Sequence, residues 1–169
     1  MKKRVFIALA LVILLCFNAY AQTTSFVNMR SELFEESKTI KALLISSKDV
    51  FLLSSMWDAC VMTMTQMDAY FSMLGIFNTI KEKDLSEPPI DYLSGWLSAI
   101  KQSNELNIKS LNSSEPIEEN TRVHMEKLKA SFTKMNAMLD NEIGKLSLLK
   151  KSLKTATPTP TAPKKSTKR

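Results

Sequence analysis

The sequence predicts an all-α protein, an up-down antiparallel four-helix bundle of long amphipathic helices followed by a disordered C-terminal tail. Apolar residues recur at alternating three- and four-residue steps over most of the chain, which is the period of one helix face. Glycine occurs only at positions 75, 95 and 144, and no run of alternating β-branched residues bounded by turn signals supports a strand. Polar or proline-bearing breaks divide the periodic stretch into four segments, enough for a bundle to enclose one core.

The N-terminus has the layout of a signal peptide, expected to comprise residues 1–21. Met1-Lys2-Lys3-Arg4 is basic, Val5 to Phe17 is apolar, and the small residues Ala19 and Ala21 precede Gln22. The apolar stretch is too short to cross a hydrocarbon core of ~30 Å comfortably. Lipidation at Cys16 is disfavoured, because a small residue should precede the cysteine and Leu15 stands there. The mature chain is therefore expected to begin near Gln22, with a periplasmic or secreted location, a helical domain over 22–153 and a tail over 154–169.

The first helical segment runs from about Ser25 to Ser46. Phe26, Met29, Leu33, Ile40 and Leu43 form one stripe, interrupted by Glu36, while Glu32, Glu35 and Glu36 followed by Lys38 and Lys41 read as the solvated face. Ser46-Ser47-Lys48-Asp49 has the form of an N-terminal capping signal and places a break there, although one kinked helix would also fit.

The second segment, about Ser47 to Lys83, carries the seam Val50, Leu53, Trp57, Cys60, Met64, Met67, Phe71 and Leu74. A second stripe (Met56, Met62, Ala69, Met73, Ile76, Ile80) makes it apolar on two sides, as expected of the most enclosed helix. Asp58 and Asp68 inside this stretch argue against a membrane span.

Ser86-Glu87-Pro88-Pro89 opens the third segment, about Pro88 to Asn112, because proline fits a first helical turn. Ile90, Leu93, Leu97 and Ile100 form its stripe, with a polar patch at Asn104 and Asn107. Ser114 is the expected N-cap of the fourth segment, which runs to about Leu153. Its seam is Thr121, Met125, Leu128, Phe132, Met135, Leu139, Glu142, Leu146, Leu149 and Leu153, a coiled-coil-like 4,3 alternation. Glu126 with Lys129 and Glu142 with Lys145 are spaced as surface pairs. Beyond Lys154 the Thr/Pro-rich and then basic composition predicts an extended, disordered end.

The formal net charge of +6 belongs largely to the chain ends. Lys2, Lys3 and Arg4 leave with the signal peptide, and Lys154, Lys164, Lys165, Lys168 and Arg169 lie in the tail. Residues 22–153 hold 15 Lys and Arg against 17 Asp and Glu, so the bundle is not a basic nucleic-acid surface. The tail could touch an anionic surface.

No residue pattern carries specific chemistry. His124 is the only histidine, expected to be a partly exposed helical residue, and Thr121 stands where a di-iron-type Glu-x-x-His would need glutamate. No zinc, calcium or haem spacing occurs, and no cofactor is expected. Cys60 is the sole cysteine after cleavage. It is expected to be a buried thiol, with an intermolecular thiol as the alternative.

These readings point to an exported, non-catalytic helical-bundle protein, a protein–protein interaction or structural component of the bacterial cell envelope that binds a protein partner or itself. The first alternative is a module for an apolar ligand or lipid in a Met-rich interior, with Met62, Met73 and Ile76 as the candidate ligand or partner face. The second is a copper-binding protein using methionines with His124.

Overall fold

The computed structural model describes residues 25–81 and 84–156, and every regular element among them is helical. Helix α1 covers 25–43, α2 Val50–Phe77, α3 Glu87–Asn112 and α4 Glu119–Ala156. The expected signal peptide, most of the expected tail and Lys83 lie outside the described residues.

Cross-helix pairs fix the arrangement as up-down. Asp91 pairs with Lys150, Lys101 with Asp140, and Asn104 with Asn136, so numbers rise along α3 as they fall along α4. Arg30 donates to both carboxylate oxygens of Asp68, at 2.5 and 2.7 Å, which sets α1 antiparallel to α2 where Phe26 stacks near Tyr70. Lys134 reaches Glu32, joining α1 to α4. Trp96 Nε1 donates to the Gln66 carbonyl at 3.1 Å and ties α3 to α2. The four helices thus form a ring with α2 and α4 across its diagonal.

The core follows the seams. Phe26, Met29, Leu33 and Ile40 of α1 meet Leu53, Met56, Cys60, Met64 and Met67 of α2, Ile90, Leu93, Leu97 and Ile100 of α3, and Met125, Leu128, Phe132, Met135 and Leu139 of α4. Each such side chain contributes about 1.5–3 kcal/mol of burial free energy, so the bundle stands without a disulfide. Glu126 and Lys129, and Glu142 and Lys145, form their expected pairs. No helix among the described residues is long and apolar enough to cross a membrane.

The structure corrects the pattern at several places. Glu36 is not on a solvated face: it is buried at 3% exposure and pairs with His124 and Lys127. His124 is the partly exposed helical residue expected, with its side chain 16% exposed. Val50 heads the α2 seam in sequence but lies at the surface, since the helix begins there and α1 has already turned away. Asn104 does not interrupt the interior. Fully buried, it accepts from Thr63 Oγ1 at 3.3 Å and donates to Asn136 Oδ1 at 3.1 Å, a polar layer spanning three helices. α2 ends at Phe77, short of the expected Lys83. Ser114 does not cap α4; its hydroxyl donates back to the Ser110 carbonyl and closes α3, and α4 begins only at Glu119.

Candidate functional site

The α1–α2 and α3–α4 loops meet at one end of the bundle, and their polar side chains lock them together. Asp49 sits just before α2 but makes no side-chain cap on it. Its Oδ1 accepts the backbone N–H of Ile117 and its Oδ2 that of Glu118, both at 2.9 Å, immediately ahead of α4. In return Glu118 accepts the Ser47 hydroxyl at 2.6 Å and the Lys48 backbone N–H at 3.2 Å. Ser47 Oγ accepts the Asp49 N–H at 3.0 Å. The predicted capping signal Ser46-Ser47-Lys48-Asp49 therefore works across the molecule rather than on its own helix. Hydrogen bonds from the Ile117 and Glu118 backbone hold the Asp49 carboxyl below the usual carboxylate range against the cost of its burial, helped by Thr121.

This frame holds apolar side chains out into solvent. Ile45 is 90% exposed, Phe51 94% and Ile117 72%. A shallow recess of about 320 Å³ lies among Phe51, Leu52, Ile117 and Ser114, with Lys48 and Glu115 at its edge. A ring and two branched side chains on well-bonded backbone form a surface with little ordering entropy left to lose on docking. Periodicity could not find these residues: Ile45 and Ile117 fall within the expected first and fourth segments but off their stripes, the structure places both in loops, and Phe51 lies off both α2 stripes. The available signal is that Ile45 and Ile117 are large apolar residues directly bordering the polar stretches 46–49 and 112–116.

The face expected from sequence is divided. Met73 and Ile76 come together with Phe77, Ile80, Pro89, Tyr92 and Leu93 around an open apolar groove of about 240 Å³ at the opposite end of the bundle, between α2 and α3. Met62 does not join them. It lies three turns away along α2, half exposed, where Ser103 Oγ donates to its sulfur at 3.7 Å. Met56, Met64 and Met67 are core residues.

Cys60 is fully enclosed, and burial, with the charge of Glu36, pushes its thiol up to about 12. A disulfide between two copies through Cys60 requires the core to open. His124 Nδ1 lies 2.6 Å from Glu36 Oε1, and Lys127 pairs with the other carboxylate oxygen from the surface. The acid is thus engaged on both oxygens. Among the described residues no three His, Cys, Asp or Glu side chains gather as a metal-ligand set. Compared with known proteins, the chain matches no family model, no curated protein and no solved structure significantly.

Proposed function

We propose that this is an exported, non-catalytic helical-bundle protein of the bacterial cell envelope that acts through protein–protein interaction, and that it presents its two-loop end to the partner. The observation that carries this reading is the display of Ile45, Phe51 and Ile117 from a hydrogen-bonded frame. A hydrophobic patch left in water is destabilising to solubility and is the ordinary mark of a docking surface. Aromatic anchors at the centre of such a patch carry most of its binding energy. Export rests on the sequence of residues 1–21.

Site-specific photo-crosslinking in the producing cell tests the reading. A photoreactive residue at position 51 is expected to give discrete adducts, while the same residue at Ser98, exposed on the middle of α3, gives none. Equal labelling at both positions counts against the two-loop end, and the chain recovered in the adduct is expected to begin near Gln22.

A second reading has one observation in its favour, the groove around Met73 and Ile76. It suits a single aliphatic chain. Ligand pockets are generally about 300–1,000 Å³ with a few polar groups fixing orientation, and this groove is smaller and almost wholly apolar, so the interaction reading ranks first.

A further inference from the structure

From the layout of charge and shape on the two-loop end, we infer that its partner is a second copy of this chain, docked face to face about a two-fold axis. The inference rests on the reading of that end as an interaction face and names the occupant. A two-fold contact must be self-complementary, so every knob needs its hole and every charge its opposite on the same surface.

Both conditions are met within a few residues. Phe51 projects beside the recess that it helps to line with Leu52 and Ile117, so one copy carries the knob and the hole together. The rim of the recess carries Lys48 and Glu115, one charge of each sign, and neither side chain makes an ion pair among the described residues. The other acid lining the recess, Asp49, is already engaged with Ile117 and Glu118, and the neighbouring Glu118 holds Ser47 and Lys48. A two-fold axis that passes between Lys48 and Glu115 sets Lys48 of one copy opposite Glu115 of the other, twice.

The described residues leave this end clear. Residues 25, 81, 84 and 156, where the described chain joins its remaining parts, are all at the opposite end of the up-down bundle. Size sets the strength. Four helices 8–10 Å apart present an end about 20 Å on a side, or about 800 Å² buried over two copies, below the ~1,200–2,000 Å² of stable complexes. A contact of this size belongs with weak, transient associations.

Sedimentation of the mature full chain from about 10 μM to about 1 mM tests this. The average mass is expected to climb toward twice the monomer, equally with and without reductant. Phe51→Asp abolishes the climb. It should fold, because Phe51 is almost fully exposed and the first turn of α2 holds no acid, so an aspartate there suits the helix dipole. Lys48→Glu alone weakens association about 10-fold, as does Glu115→Lys, and the double variant restores it. A wild type that stays monomeric throughout, or a dimer indifferent to these variants, overturns the inference. Crosslinks from position 51 separate the two levels of claim. A product of twice the chain mass supports self-docking, adducts to other proteins alone overturn it while leaving the face, and no adduct overturns both.

Discussion

Cys60 lies at the centre of the bundle, and its chemistry is decided by that position. Desolvation, followed by the nearby charge of Glu36, raises the thiol to about 12, against about 8.5 in an unfolded chain. A group whose pKa is raised on folding stabilises fully below its unfolded value and ceases to do so as pH rises through the folded one. The unfolding free energy should therefore fall above about pH 8.5, by up to about 1.4 kcal/mol per pH unit from this group. Tyr70, also raised by burial, adds its own slope only above its ordinary value of 10.0. Urea titrations at pH 8, 9 and 10 on wild type and Cys60→Ala are expected to show the slope in wild type and its loss in the variant. Parallel lines would mean that the thiol is reachable by water. The seam period places Cys60 inside correctly, but it misplaces Glu36, because periodicity records side-chain type and not the partner that makes burial of a carboxylate affordable in energy. His124 supplies that partner from 88 positions away.

Among the elements, α4 is the most legible from its residues because its 4,3 seam, from Thr121 to Leu139, is buried at every position. From Glu142 on, the same period continues on half-buried positions. The α3 start was equally readable, since Pro88 and Pro89 fall in its first turn. What the pattern could not show was how the α1–α2 and α3–α4 breaks are held, because Asp49 accepts the Glu118 N–H and Glu118 accepts the Lys48 N–H across about seventy residues of sequence. Local capping rules see Ser46 through Asp49 and assign them to the next helix. Two helix interiors also carry glycines that no packing requires. A Cβ added at Gly95 in α3 or Gly144 in α4 would meet nothing within 4 Å, and neither residue has positive φ. Replacing each by alanine removes the excess freedom of the unfolded chain, and should stabilise by about 0.5–1 kcal/mol per site. The two changes lie on different helices and are expected to add. Chemical denaturation of the single and double variants checks both statements, and a loss of stability at either site would reveal a neighbour that the packing does not show.

At the scale of the whole molecule, the bundle has two unlike ends. One gathers every junction with the rest of the chain and the small apolar groove, and the other joins two loops through Glu118 and one aspartate. That aspartate does two jobs at once. It closes the core by pinning the α1–α2 loop to the start of α4, and it fixes the spacing of the side chains that form the proposed docking face. Because the Asp49 carboxyl is held below its ordinary range by the Ile117 and Glu118 N–H groups, its contribution is present above about pH 3.9, the unfolded value, and is lost as pH falls through the lower folded value. Asp49→Asn keeps one acceptor oxygen but loses the charge and the second, so it should be less stable than wild type at neutral pH. The gap should narrow as both proteins are taken below about pH 3.9, where the unfolded chain takes up this proton before the folded one does. Other lowered carboxyls, such as Asp68 beside Arg30, titrate in both proteins and cancel from the difference. Urea midpoints measured at pH 7, 5, 4 and 3 give the test. A gap that stays constant over that range would mean that the loops are held by shape alone, whereas the expected convergence ties the closure of this end to a single ionised side chain.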